Sequence, residues 1–585
     1  MKIISIYPGH NATIGYFEDG DCKFIFHEEK FNNIKNFLGF PILALKHLAS
    51  KININDVDFF VFGQKTQMML ATPTKAVNYF ETQSVGRFRR IFNYLEYKTG
   101  LKLLFSGVRN ILLEKMVTPK SWNEISVWLE DNYHVPRKKV LTYDHHLAHC
   151  LTPLYFYGLA GDSENLLLLS MDGAGDNAFS KVFVYEPKNN LLKKIAESSF
   201  DSSIGLLYSE MTKFLGMKVN EHEYKVMGLA AYVSNRKYYQ HIYEKLKEIV
   251  WLNEETLEFE SAFNTNVSRL FFKDHFSFER FDNLAAALQE FTEELVTKWI
   301  QATIKKTGIN VVAVSGGVFM NVKMNQKIIA LPEVKKVYFQ PSSGDESLII
   351  GAACKTYLDN SIDLKPIKTM YLGHSYNDNE VKEFLERIGY FDKYQINYFE
   401  DIEIEIAKLI ADFKIVARFK GQGEWGARSV CNRGILGNAS DLKTFYDVNN
   451  MIKMRDFWMP FAPTILEEWA DRYIENWKTI GEKAYDSMKF MIVTCNATKL
   501  AQTHLLAAMH QKDKTIRPQI LSKQNNENLY RLLKTFEELT GMGGILNTSF
   551  NLHGSPLVGT LEQATFTFEN SGLQYLAIEN WMIKK

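Results

Sequence analysis

His145 and His149 stand four residues apart in the stretch Tyr143-Asp144-His145-His146-Leu147-Ala148-His149. Four residues is just over one helical turn, so on a helix both imidazoles leave the same face. Two imidazoles so placed can hold one divalent metal ion if further ligands come from elsewhere in the chain. The alternative is a histidine pair simply capped or packed near a helix end. Cys150-Leu151-Thr152-Pro153 follows, which allows a short helix and then a break. Two carboxylates stand where further ligands are needed. Leu166 to Met171 is an all-apolar run, as in a strand buried on both faces, and it ends in Asp172-Gly173-Ala174-Gly175-Asp176. Val337 to Phe339 reads as a short strand that leads through Gln340-Pro341-Ser342-Ser343-Gly344 to Asp345. The apolar run Leu348 to Ala353 then reads as a helix, which makes Asp345 an N-cap candidate. Strand-to-helix junctions are also where open α/β sheets place ligands. Two imidazoles and two carboxylates suit a first-row divalent metal, with room left for substrate.

A second concentration of chemistry lies at Gly421-Gln422-Gly423-Glu424-Trp425-Gly426-Ala427-Arg428-Ser429-Val430-Cys431-Asn432-Arg433-Gly434. The glycines allow close approach of backbone to a ligand, and arginine is a forked donor suited to phosphate. Downstream come Lys453, Arg455, the turn Met459 to Pro463, Arg517-Pro518, and a polar loop Asn547-Thr548-Ser549-Phe550-Asn551 after the strand Gly544–Leu546. One arginine is usually a surface ion pair. Arg428, Arg433, Arg455 and Arg517, each beside turn residues, predict an oxyanion or phosphate pocket. Two weaker signals precede them. The strand Val311–Val314 runs into Ser315-Gly316-Gly317-Val318-Phe319-Met320-Asn321, where backbone N–H groups can approach phosphate or ribose. Glu223 and Lys225 crowd the start of an apolar helix in Glu221 to Ala230, where exposed helix charges are the simpler account.

These residues need elements to position them. Residues 2–30 read as three strands joined by the turn Pro8-Gly9-His10-Asn11 and the hairpin signal Asp19-Gly20. Pro41 to Ala49 reads as a helix and Val57 to Phe62 as a buried strand. A buried strand, a polar Gly-rich turn and a returning strand recur at 166–185, which predicts two related halves facing a cleft. Asn283 to Thr307 is a long amphipathic helix. Residues 355–380 form a connection, and a domain boundary is expected near 370. The second domain opens with helices Val381–Arg387 and Ile402–Phe413 and the strand Val416–Phe419. Residues 84–120 carry eight Lys or Arg against two Glu, with aromatics between, and read as amphipathic helices with a solvated basic face.

Length and composition bound the reading. A chain of 585 residues exceeds one ordinary core. Lys+Arg and Asp+Glu are both 68, so no global field marks nucleic acid or a membrane as the partner. Five scattered cysteines without a C-x-x-C argue against a disulfide scaffold or a zinc ribbon and fit a reducing compartment. The apolar N-terminal run is too short for a signal peptide and no run would span a bilayer, so a cytoplasmic location is expected.

With both motif groups placed, the chain resembles the two-domain ATP-dependent O-carbamoyltransferases of nodulation factors and carbamoylated antibiotics. The matching stretches are GHNA at 9–12, EEKF at 28–31, HHLAH at 145–149, MDGAGD at 171–176, EYKVMGLAAY at 223–232, SGGVFMN at 315–321, GDES at 344–347, GQGEWGARSVCNRGIL at 421–436, MPFAPTIL at 459–466, RPQIL at 517–521 and LNTSFN at 546–551. The resemblance implies an α/β and α+β chain. Residues 1–370 would be an actin-like ATPase domain (ASKHA, duplicated ribonuclease-H-like) and residues 371–585 a YrdC-like domain. It implies that the second domain makes carbamoyl-adenylate from carbamoyl phosphate and ATP, and that the first transfers the carbamoyl group to a hydroxyl of a sugar or natural product. It implies iron(II), or another divalent metal, on His145, His149, Asp172 and Asp345, with Asp176 as the alternative to Asp172. Glu223, Lys225, Gly316, Gly317 and Asn321 match its nucleotide loops. Arg428, Asn432, Arg433, Lys453, Arg455, Arg517, Asn547 and Ser549 match its carbamoyl phosphate and adenylate site. His10, His145 and Arg428 are the implied catalytic residues, His10 facing the acceptor. Residues 65–130 are longer than the family needs, and Asn32-Asn33 replace a more basic pair, so the acceptor stays open, as does a homodimer. Two other classes stand beside this one: a tRNA threonylcarbamoyl transferase, against which a neutral chain shows no RNA track, and a non-catalytic actin-like ATP-binding scaffold.

Overall fold

The structure is a computed structural model that describes residues 1–66, 72–73, 94–99 and 118–585. Most of the basic and aromatic segment 84–120 therefore lies outside the described residues. The chain is mixed α/β and divides into two compact units. One comprises residues 1–23 and 36–368, the other residues 24–35 and 369–585.

The first unit holds two sheets of one design. β1 (Lys2–Tyr7), β2 (Thr13–Glu18), β3 (Asp21–His27, whose residues from Phe24 on count with the second unit), β4 (Phe59–Phe62) and β5 (Val140–Thr142) lie in the order β3-β2-β1-β4-β5. β6 (Leu166–Gly175), β7 (Ala178–Glu186), β8 (Leu191–Ser199), β11 (Val311–Ser315) and β12 (Lys336–Phe339) lie in the order β12-β11-β6-β7-β8. In each sheet the first strand pairs antiparallel with the second and parallel with the fourth, which pairs parallel with the fifth. β9 (Val250–Asn253) and β10 (Glu258–Ser261) form a separate hairpin. Asp19 and Gly20 both have positive φ, 49° and 74°, as a two-residue turn between twisted strands requires. β8 escapes a reading by hydropathy because its first half, Leu191 to Lys194, is largely exposed and half charged.

Three expectations need correction. The helix His145–Tyr157 does not break at Pro153 but continues to Gly158, which ends it in the left-handed region. Pro153 removes only the bond to the His149 carbonyl, and full burial of Leu151, Leu154, Tyr155 and Phe156 keeps the last turn in place. Asp345 is not an N-cap. It opens a short 3-10 turn, Asp345–Ser347, before the helix Leu348–Asp359, and makes no cap hydrogen bond. Asp172 lies not beyond β6 but within its irregular end, where the register with β7 shifts between Met171 and Gly175. The helices His145–Tyr157 and Leu348–Asp359 pack so closely that a Cβ at Gly351 would overlap the Ala148 carbonyl.

In the second unit, β13 (Gln395–Tyr398), β14 (Val416–Phe419), β15 (Arg433–Gly437), β16 (Ala462–Leu466), β19 (Gln519–Leu521), β20 (Gly544–Ser549), β21 (Tyr575–Ile578) and β22 (Trp581–Lys584) form one sheet, ordered β13-β22-β21-β14-β15-β20-β16-β19. β17 (Cys495–Asn496) and β18 (Thr515–Ile516) pair separately. β20 runs through Ser549, so Asn547 and Ser549 are strand residues rather than loop residues. β16 likewise begins inside the expected Met459–Pro463 turn. All five cysteines are free and buried. Among the described residues no helix is long and apolar enough to cross a membrane.

Arg418 of β14 is sealed in this unit's core. Its guanidinium meets both Glu403 carboxylate oxygens, at 2.9 and 3.3 Å, and also donates to the Cys431 carbonyl and Asn432 Oδ1, each at 3.0 Å. Burial disfavours the charge, and Glu403 outweighs that. Because four contacts satisfy the cation, removing the carboxylate strands a buried charge. Glu403→Gln is expected to destabilise the protein by about 3–5 kcal/mol, read as a lower urea midpoint. An unchanged midpoint would show that the pair is not needed for stability.

Candidate functional site

Two strand ends and two helix starts converge in the first unit. His145, His149, Asp172 and Asp345 each offer one ligand atom, and these atoms all lie within 4.8 Å of one another. His145 Nε2 is 3.5 Å from Asp172 Oδ2 and 3.6 Å from Asp345 Oδ1, and His149 Nε2 is 3.3 Å from Asp345 Oδ1. All four side chains are buried. Neither nitrogen of His145 makes a hydrogen bond, although the ring is 1% exposed. A buried polar atom without a partner needs an explanation, and a metal ion is one that the donor set fits. The charges agree. Burial alone would lower the His145 pKa, but Asp345 and Asp172 outweigh it and lift the imidazole to about 9. Two carboxylates thus surround a site short of positive charge.

Each ligand residue is held from behind. The Asp144 side chain caps the histidine helix by accepting from Leu147 N at 2.9 Å, and Lys181 holds Asp144 at 2.7 Å. Asp176 accepts the His145 N–H at 2.7 Å and the Lys65 N–H at 3.0 Å. It anchors backbone, whereas Asp172 joins the cluster. Gly317 N donates to Asp172 Oδ1 at 2.7 Å, and Ser315 Oγ lies 3.3 Å from His149 Nδ1. His146 turns away to Ser170 Oγ at 3.0 Å, and burial with its two histidine neighbours keeps it neutral. Tyr7 donates its hydroxyl to Asp345 Oδ2. The same hydroxyl lies 3.3 Å from Nδ1 of His10, which is itself 3.6 Å from Asp345 Oδ2. A Cβ at Gly175 would overlap the His145 ring, which explains a glycine there.

The nucleotide candidates are joined to the cluster through the glycine loop. Gly316 has φ 105°, and any side chain there would overlap the Met171 backbone. Gly317 gives its N–H to Asp172, so that amide is already engaged. Asn321 caps the helix Val322–Ala330 and exchanges hydrogen bonds with Gln289, both at 2.9 Å. Gln289 accepts from Tyr208, and the adjacent Ser209 donates to Glu223 at 2.9 Å. Glu223 is raised by burial and also accepts from Asn220 N. Lys225 stands in the same helical turn, half-buried.

In the second unit the expected pocket residues divide into two groups. The Arg433 guanidinium, an expected anion donor, gives Nη1 and Nη2 to backbone carbonyls and keeps a buried Nε without a partner. Nη1 donates to the Lys420 and Asn432 carbonyls at 3.0 Å, and Nη2 to those of His374 and Gly421 at 3.1 and 2.8 Å. Its carbon sits 3.7 Å over the Phe419 ring, and burial pulls its pKa down to about 10. Arg433 therefore clamps the 420–433 loop. Asn432 does likewise, accepting from Arg418 and from Asn526 and donating to the Gln422 carbonyl. Lys453 donates to Ser549 and to Asn551 Oδ1, the latter at 2.6 Å, and burial with nearby Arg455 and Lys35 opposes its charge. Asn547 donates to the Ser429 carbonyl at 2.9 Å, while its buried Oδ1 has no partner. Arg455 donates to Thr548 Oγ1 at 3.2 Å.

Arg517 behaves differently. Its charge is opposed by burial and by two further cations, Arg428 and Arg455, a cost that a bound anion would offset.

Several residues that matter here were not singled out by sequence. Glu424 Oε1 accepts from the N–H groups of Val430, Asn432 and Arg433 at 3.0, 2.9 and 3.1 Å, so one carboxylate folds the whole loop. An acid set among glycines is the signal that could have found it. Arg418, Glu403 and Tyr7 are visible only through their partners, and Ser315 stood in the stretch 315–321 without a role.

Residues 2–354 match the family described as carbamoyltransferase N-terminus, and residues 407–585 match carbamoyltransferase C-terminus. An uncharacterized protein of Methanocaldococcus jannaschii is 33% identical over 470 residues, which cover 77% of this chain and 74% of that one. A second from the same organism is 28% identical, covering 100% of this chain and 99% of that one. Nodulation protein NolNO of Sinorhizobium fredii is 25% identical, covering 98% of this chain and 79% of that one.

If the cluster takes a divalent ion, its outer partners tune the affinity. Ser315→Ala is expected to weaken iron(II) or zinc binding about ten- to a hundredfold, and His149→Ala to abolish stoichiometric binding, both read by anaerobic equilibrium dialysis. Wild-type protein that retains no divalent ion would rule out the metal centre.

Proposed function

The chain belongs to the carbamoyltransferase family, and on that premise we propose that it is an ATP-dependent O-carbamoyltransferase acting in two stages. The observation that carries the reading is the buried cluster of two imidazoles and two carboxylates beside His10. The repeated strand order in the first unit supports an actin-like ATPase domain over residues 1–370. Residues 371–585 are the adenylate-forming domain, read as YrdC-like.

In the first stage carbamoyl phosphate loses its phosphoryl group to water as inorganic phosphate. An oxygen of the carbamate left behind attacks the α-phosphorus of ATP, and pyrophosphate departs. Arg428, Arg455 and Arg517 stabilise the anionic oxygens, while Lys453, Asn547 and Ser549 line the same loop and strand end. Arg433 and Asn432 hold that loop in shape.

In the second stage a hydroxyl of a sugar or natural product attacks the carbonyl carbon of carbamoyl-adenylate and AMP leaves. Tyr7 and Asp345 orient His10 through Nδ1, which leaves Nε2 to take the hydroxyl proton. His145, His149, Asp172 and Asp345 would hold a divalent ion such as iron(II), which supplies Lewis-acid polarisation and charge neutralisation when bound. Gly316, Gly317, Asn321, Glu223 and Lys225 form the nucleotide side of this site, with Gly317 also steadying Asp172.

The test separates the stages. Pyrophosphate release from ATP is expected only when carbamoyl phosphate is present. His149→Ala is expected to keep that release and lose transfer to acceptors, read by mass spectrometry as loss of the added carbamoyl group. Arg517→Ala removes a charge-assisted donor worth about 1.5–3 kcal/mol, so the KM for carbamoyl phosphate should rise roughly ten- to a hundredfold. Pyrophosphate release that ignores carbamoyl phosphate would refute the proposal.

A further inference from the structure

Residues 24–35 belong to the second unit, whose remaining chain begins only at Thr369. This segment carries the stretch His27-Glu28-Glu29-Lys30-Phe31, to which no chemical role has been given. It is built into the unit at several points. Ile25 N donates to the Leu372 carbonyl at 3.0 Å. Lys30 Nζ donates to the Leu557 carbonyl at 3.1 Å, and the Lys30 carbonyl accepts from Gln563 Nε2 at 2.9 Å. A Cβ at Gly559 would come within 2.7 Å of the Lys30 Cβ. At the other end, the charge of Lys35 adds to burial and Arg455 in opposing that of Lys453.

His27 is the deepest part of the segment, 4% exposed. Its Nε2 accepts the N–H of Gly426 at 2.9 Å. An imidazole accepts only through an unprotonated nitrogen. Burial pulls the pKa of His27 down to about 4, so the lone pair is present at neutral pH. Gly426 has φ 83°, a conformation glycine alone adopts without strain. A buried amide in such a turn needs a fixed acceptor. Two residues after this glycine comes Arg428.

We infer that His27 is a positioning residue of the anion pocket: by accepting the Gly426 N–H it fixes the turn that presents Arg428 to the oxygens of carbamoyl phosphate. The inference rests on the proposed role of Arg428. The pocket is then assembled from two distant stretches of chain, and its geometry depends on one imidazole that touches no substrate. Loss of that acceptor frees the turn by fractions of an ångström, enough to weaken a guanidinium–phosphate contact.

The experiment uses the full chain and carbamoyl phosphate-dependent pyrophosphate release. His27→Leu is expected to raise the KM for carbamoyl phosphate roughly tenfold while the KM for ATP and the divalent metal content stay unchanged. His27→Gln, whose side-chain oxygen can accept the same N–H, is expected to restore most of the affinity. A rescue by glutamine and a selective KM effect are not what a general loss of folding would give. If His27→Leu does not fold, His27→Asn, too short to reach Gly426, takes its place in the comparison with His27→Gln. A wild-type KM in His27→Leu beside a raised KM in Arg428→Ala overturns this inference alone. An unchanged KM in Arg428→Ala overturns the pocket assignment and this inference with it. Equal damage from leucine and glutamine also overturns it, because the acceptor would then not be what matters.

Discussion

Asp345 is a carboxylate sealed from water, and what surrounds it decides the geometry of the first unit's site. Burial would neutralise it, but His145, His10 and His149 hold its pKa well below the usual carboxylate range. Tyr7 adds a hydroxyl donor. For these groups to meet, a strand from one sheet, the turn after it and the histidine helix must all end at one point. The Gly351 contact between two helices and the Gly316 contact with Met171 allow that approach, since neither place has room for a side chain. The cluster is thus a constraint on packing as much as a centre for chemistry.

The second unit solves the opposite electrostatic problem. It buries cations, and it treats them in two ways. Arg418 is matched by Glu403, and Arg433 gives Nη1 and Nη2 to four carbonyls. The charge of Arg517 is opposed by burial and by Arg428 and Arg455. A buried cation whose charge is opposed by its neighbours gains when an anion arrives. Residue type does not separate the two kinds, because only the partners of each guanidinium differ.

The two sheets of the first unit show why duplicated architecture suits such a site. Equivalent strand orders put equivalent strand ends, β1 and β6, at the cluster, the first through Tyr7 and the second through Asp172. The irregular end of β6 gives Asp172 a direction that regular alternation along a strand would not.

Spacing alone determined much of this protein. His145 and His149 had to share a helix face, all-apolar runs had to be buried strands, Asp19-Gly20 had to turn a hairpin, and the glycine-rich 421–434 stretch had to be a close-packed loop. These are local consequences of backbone geometry and hydrophobic period, so neighbours in sequence suffice to read them. The tertiary structure decided the rest. It separated Asp172 from Asp176, which differ only in whether the carboxylate meets an imidazole or backbone N–H groups. It removed the helix-cap alternative for Asp345, left that carboxylate beside the two imidazoles, and carried the helix through Pro153. It assigned Arg433 to carbonyls and Glu424 to amides, and it brought His27 to Gly426 across almost 400 residues of chain. Each of these outcomes depends on which partner lies within hydrogen-bond distance once distant segments pack, and no local pattern encodes that distance.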